Sequence, residues 1–123
     1  MTGVTALDFA RKRLFEPLGV RDVGWDSDPQ GRSIGSAALQ MRALDMTKLG
    51  SMYLTYGKFE THRILDREWV EKSLTTRVKM PTAGGPAEYG YYWWLYPERT
   101  LFEAWGAQAS ESVYSAIVVS SSQ

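Results

Sequence analysis

Tyr89-Gly90-Tyr91-Tyr92-Trp93-Trp94-Leu95 and, a turn later, Glu103-Ala104-Trp105-Gly106 decide how this chain is read. From Tyr89 the apolar period drops to two, and β-favouring aromatics dominate. A strand from Tyr89 to Leu95 is expected. Tyr96-Pro97-Glu98-Arg99 suits a type I turn, with Pro97 preset at its second position. Thr100 to Trp105 should then return antiparallel, and Val113 to Val119 should add a third strand. Aromatic residues fall on both faces of the first strand, which implies cover on both sides. Packing is the main role expected of them, because aromatic rings chiefly carry burial area.

Upstream the pattern is helical. Thr5 precedes Ala6-Leu7-Asp8 with the spacing of a capped helix start, Asp8 standing at the third helical position. Ala6, Phe9, Ala10 and Leu14 then share a face, and Pro17 and Gly19 end the helix. Val20 to Ser36, rich in Gly, Asp and Pro, reads as an irregular loop. Met46, Leu49, Gly50, Tyr53 and Leu54 form the stripe of a second helix, with Gly57 as its left-handed cap. Asp66 is placed to cap a short third helix, with Leu65 and Val70 spaced as a hydrophobic staple. Residues 76–88 read as a polar Pro/Gly loop, and the terminal Ser120-Ser121-Ser122-Gln123 as frayed. The fold class expected is therefore α+β, three helices packed with a short antiparallel sheet in a single domain over 1–123.

The 123 residues carry 14 basic and 14 acidic side chains, a net charge of zero. No electrostatic case for nucleic acid or an anionic membrane exists. The absence of cysteine removes disulfides, thiolate metal sites and a thiol nucleophile together. Met1 to Ala10 shows no basic region followed by an apolar stretch, so no signal peptide is expected and the default location is cytoplasmic. No apolar run nears the roughly 18 residues of a membrane span.

Several segments together resemble the serine β-lactamase class C-related and penicillin-binding-protein-like hydrolases, in their esterase and oligoamide-hydrolase branch. They are Phe9-Ala10-Arg11 through Pro17-Leu18-Gly19-Val20, Ile34-Gly35-Ser36-Ala37-Ala38-Leu39 with Ala43-Leu44-Asp45-Met46, Ile64-Leu65-Asp66 through Trp69-Val70, and the aromatic sheet. Their order and spacing across roughly residues 8–108 carry the match. The resemblance implies a partial β-lactamase/DD-peptidase-like fold. It also implies substrate contacts by Trp105, Gly106, Ala107, Gln108, Tyr91 and Trp93, with a backbone N–H near Trp105 serving an oxyanion.

Chemistry in that family begins at a Ser-x-x-Lys, and none occurs here. Tyr-x-Asn and Tyr-x-Ser are absent too, each of the seven tyrosines having another residue two positions on. After Gln108 the likeness stops, so 109–123 is expected to be an atypical tail, as truncation and a frameshift would produce. The expectation is a truncated, catalytically silent relative acting as a binding or assembly module that takes a small-molecule ligand. The alternative is a working hydrolase of esters, amides or β-lactams with a non-standard or partner-supplied nucleophile. No catalytic residue, cofactor or metal ligand is assigned. Cutting such a fold exposes sheet edges and aromatic faces, so a homodimer is expected.

Three local patterns could imitate a site. Gly31-Arg32-Ser33-Ile34-Gly35 matches the nucleophile elbow, which needs a strand before the serine and a helix directly after it. Asp26 to Gln30 is no strand, so a surface loop is the better reading. His62, the one histidine, lacks the company a zinc site needs. Thr55-Tyr56-Gly57-Lys58 copies the Ser-x-x-Lys spacing, but Gly57 marks a helix already ended.

Overall fold

The computed structural model describes residues 3–35, 37–82, 85–97, 101–107 and 114–120. The architecture is α+β. Among the described residues, helices α1 (Ala6–Ala10), α2 (Ala43–Leu54) and α3 (Arg67–Ser73) accompany nine strands. Two hairpin-like pairs are small: β1 (Val23–Trp25) with β2 (Leu39–Met41), and β3 (Lys58–Phe59) with β4 (His62–Arg63). The main sheet is antiparallel with five strands in sequence order: β5 (Val78–Thr82), β6 (Gly85–Tyr89), β7 (Trp94–Tyr96), β8 (Leu101–Ala107) and β9 (Tyr114–Ser120).

Thr5 caps α1 as its position predicts. Its hydroxyl accepts from the Asp8 amide at 3.1 Å and donates to the Asp8 carboxylate at 2.8 Å. One π-helical turn, Arg11–Phe15, follows, closed by the Glu16 amide on the Arg11 carbonyl. The buried stripe differs from the expected one. Leu7, Ala10 and Leu14 pack inward, while Ala6 and Phe9 face solvent. Leu18, fully buried, and Phe15 select that face, because spacing 7, 10, 14, 18 continues onto the strongest anchor beyond the helix.

Met52 is the buried centre of the first apolar cluster, with Phe15, Leu18, Val20 and Val23. The stripe read for α2 omits it. Leu54 is exposed, so the helix turns Met52 rather than Leu54 inward. The left-handed cap falls one residue before the expected Gly57: α2 ends at Leu54, Tyr56 takes φ +54° with its amide on the Tyr53 carbonyl, and the Gly57 amide closes on the Met52 carbonyl at 2.9 Å. Gly57 follows at φ +94°, where an added Cβ would lie 2.1 Å from the Leu65 carbonyl oxygen. Asp66 occupies the N-cap of α3 without a side-chain capping bond.

Three expectations are corrected. Residues 20–36 are not wholly irregular, since β1 forms there and pairs with β2. Residues 76–88 are not a loop: β5 and β6 form a hairpin from Val78↔Tyr89 to Thr82↔Gly85. Proline is tolerated there because Pro81 lies on an edge strand, and Pro86 precedes the part of β6 that pairs with β7. The sheet thus has five strands rather than three. Finally, Tyr89 to Leu95 is two strands and a turn. The Gly90 amide bonds the Trp93 carbonyl at 2.9 Å, and Tyr92 adopts φ +63°. The expected third strand is β9. The turn at Glu98-Arg99, like Val113, lies outside the described residues.

Leu95 and Phe102 are register partners and face α2, where Met46, Leu49 and Tyr53 cover them. Trp93 meets Tyr53 at 4.7 Å and Phe102 edge-on at 5.1 Å between ring centroids. The other face carries Tyr89 against Trp94 at 5.0 Å, and Glu103, whose carboxylate accepts from the Tyr96 hydroxyl at 2.6 Å.

Candidate functional site: the sheet end where β8 outruns β7

Register decides which backbone groups remain available. The last β7 residue at one end is Trp94, opposite Glu103. Strand β8 continues beyond it, and Trp105, Gly106 and Ala107 pair with Ala116, Ser115 and Tyr114 of β9. Along this stretch β8 is paired on the β9 side, while on the β7 side no described strand is paired with it. Successive backbone N–H and C=O groups of a strand point to opposite sides, so this segment offers hydrogen-bonding groups away from β9. The turn Gly90–Trp93 lies at the same end of the sheet, because it leads directly into Trp94.

Backbone contact holds that turn close against the end of α3. The Tyr91 amide bonds the Ser73 carbonyl at 3.0 Å, and a Cβ on Gly90 would stand 2.2 Å from the same oxygen. Only glycine lets the two backbones approach so closely. Ser73 is itself buried, its hydroxyl donating to the Trp69 carbonyl at 2.8 Å. The turn in consequence presents Tyr91 outward, stacked on Trp69 with ring centroids 5.7 Å apart and planes 29° apart. The Arg77 guanidinium lies 4.8 Å from the Tyr91 ring centroid. Nearby, the Glu68 carboxylate accepts from Lys72 at 2.8 Å. Lys72 holds Glu68 below its ordinary carboxylate range, and Glu68 in turn raises Lys72.

The six residues that the resemblance marks for substrate are thus placed differently from one another. Trp93 is buried in the aromatic cluster, Tyr91 is exposed in the turn, and Trp105, Gly106 and Ala107 lie on the β8 extension. Gln108 lies outside the described residues. Trp69, which shares an exposed stack with Tyr91, lies in a segment that carries the resemblance but is not among the residues it marks for substrate.

The imitation motifs do not assemble chemistry. Ser33 is followed by no helix; its segment makes an isolated bridge to Ser27. Asp28 organises that loop, accepting from the Gln30 and Arg32 amides at 2.9 Å and from the Arg32 side chain at 2.7 Å. The Arg32 amide, then its guanidinium, lowers the Asp28 pKa. Thr55 lies past the end of α2, its one hydroxyl proton within reach of the Ser51, Met52 and Lys58 carbonyls. His62 is exposed on β4. Among the described residues no three His, Asp or Glu side chains converge as metal ligands, and no helix is long and apolar enough to cross a membrane. An apolar cleft of about 260 Å³, lined by Tyr53, Leu74, Leu95 and Phe102 among others, opens at the other end of β7, beside Tyr96 and Pro97. It is not the Trp105 end.

These elements define an α+β fold, and the same fold forms part of a solved structure. The solved structure that shows this is a candidate 6-aminohexanoate-dimer hydrolase from Bacillus anthracis, matched at TM-score 0.71 and 20% identity. The match covers 97% of this chain and 33% of that protein, so the chain spans about a third of its length. No protein-family model matches the chain, and no curated protein matches it.

Proposed function

We propose that these 123 residues form part of the wall of an acyl-transfer pocket in the β-lactamase-related superfamily, and that they do not hydrolyse substrate by themselves. One observation carries the reading: the backbone of Trp105–Ala107 is paired only toward β9 among the described strands, beside a turn that presents an aromatic ring. A strand edge of that kind can donate N–H groups to a carbonyl oxygen as negative charge develops on it. It stabilises nothing without an attacking group, and the chain holds no Ser-x-x-Lys to supply one. The substrate class is a linear amide or ester, in keeping with the likeness to a candidate amide hydrolase.

Two measurements test this. A fluorophosphonate probe, a chromogenic ester and a chromogenic cephalosporin are expected to give neither labelling nor turnover. Stoichiometric labelling of the chain would establish the other reading, a hydrolase with an unconventional nucleophile. Titration with a linear amide such as the 6-aminohexanoate dimer, followed by amide ¹H–¹⁵N spectra, should move the Trp105–Ala107 signals. If those signals stay fixed while others move, the wall lies elsewhere.

A further inference from the structure

Among the described residues, four that are not glycine hold φ in the left-handed region: Ala38, Tyr56, Glu60 and Tyr92. A bulky side chain there is a steric outlier. Ala38 is small, and Glu60 stands in the two-residue link between β3 and β4, a tight hairpin turn where positive φ is ordinary. Tyr56 puts its ring to use under the Arg67 guanidinium, 4.2 Å from the ring centroid. Tyr92 is different. At φ +63° it is 80% exposed, and it forms no hydrogen bond or ring contact among the described residues. The backbone holds it there regardless, through the Gly90 amide on the Trp93 carbonyl at 2.9 Å and the Tyr91 amide on the Ser73 carbonyl at 3.0 Å. Glycine or asparagine would meet this backbone with far less strain. Strain enforced by the neighbours, on a ring the neighbours do not use, points to a contact with a bound molecule.

We infer that Tyr92 sets chain-length specificity at the Trp105–Ala107 wall, its ring covering the methylene chain beside the amide of a linear substrate. The inference rests on the pocket-wall reading above. Register brings ring and wall to one end of the sheet: the turn runs into Trp94, which is opposite Glu103, two positions before Trp105. Tyr91, the turn's other tyrosine, is already committed to Trp69 and Arg77. That leaves Tyr92 to meet a ligand. A linear amide offers methylenes on either side of its reacting group. A phenol ring suits them, covering apolar chain with its face while its hydroxyl stays in water. The gain grows with the apolar area removed from water, so a longer chain is held more tightly.

The test uses the full chain and two amides, the long N-pentanoyl-5-aminopentanoate and the short N-acetylglycine, with binding followed at the Trp105–Ala107 amide signals. Wild type is expected to bind the long amide about tenfold more tightly than the short one. Tyr92→Asn and Tyr92→Gly, which suit a left-handed backbone, are expected to lose that preference while melting at or above the wild-type temperature. Tyr92→Phe should keep it, since the ring face makes the contact. If the wild-type signals stay fixed with both amides, the pocket-wall reading fails and the inference falls with it. If they move but Tyr92→Asn prefers the long amide as wild type does, the wall stands and Tyr92 has no part in selecting chain length. A lower melting temperature in both the Asn and Gly variants would assign the ring to packing and overturn the inference as well.

Discussion

Around Met52 the buried side chains are aliphatic except for Phe15 and come from short segments scattered along the first half of the chain. Beneath the sheet, Leu95 and Phe102 come from neighbouring strands and Trp93 from the turn before them, its ring meeting Phe102 edge-on. Helix α2 serves both, since Leu49 and Tyr53 pack against each cluster. The first cluster depends on polar and backbone fastenings, with Lys48 bridging Asp45 at 3.0 Å and the Gly19 carbonyl at 3.1 Å. The second needs few such fastenings because each ring buries a large area in one orientation. Scattered aliphatic segments must be tied at their ends, whereas adjacent aromatics hold one another.

The sharpest way to break this contrast is Trp93→Ala, expected to cost about 4 kcal/mol, as large aromatic truncations do. Urea unfolding followed by far-UV circular dichroism would measure it. Hydrogen exchange should show protection falling in both clusters, since α2 joins them; loss confined to the sheet would mean that they unfold separately. Met52→Ala is expected to cost about 3 kcal/mol by the same measurement, a Met packing less rigidly than an aromatic.

Gly90→Ala drives a Cβ into the Ser73 carbonyl, so the turn must lift from α3 at about 2 kcal/mol. Its specific signature is exposure of the Tyr91 amide to exchange while Met52 stays protected. The Asp45 fastening should show in pH. Its carboxyl is held below the ordinary aspartate range first by the Lys48 hydrogen bond and then by Arg42. A folded-state pKa below the unfolded one contributes stability that is present above the unfolded value and lost as pH falls through the folded one. Melting temperature should therefore decline on acidification below the normal aspartate range, and Asp45→Asn should flatten that decline. The smallest effect expected is Thr5→Ala, about 1 kcal/mol for loss of a helix cap, read from the same unfolding curves.

Much of the helical half was legible from local signals. The Thr5 cap, α2 and its end within a residue or two of Gly57 follow from residue types whose preferences act within one turn. The buried stripes of α1 and α2 were harder, since several faces carried apolar residues and distant anchors chose among them. The β5–β6 hairpin was hidden because Pro81 and Pro86 argue locally against strands, and only their place in the sheet makes them harmless. The candidate site was half visible. Trp105, Gly106 and Ala107 carried a resemblance, but nothing in their order announced that β8 would outrun β7.

From the residues alone come the α+β class, the lack of a Ser-x-x-Lys and the uncharged run that becomes β9, because composition and short-range spacing carry those properties directly. Strand number, the break at Gly90, the inward turn of Met52 and the one-sided pairing of Trp105–Ala107 were decided in three dimensions. Register and close backbone approach depend on which distant segments meet, and no local preference encodes that meeting.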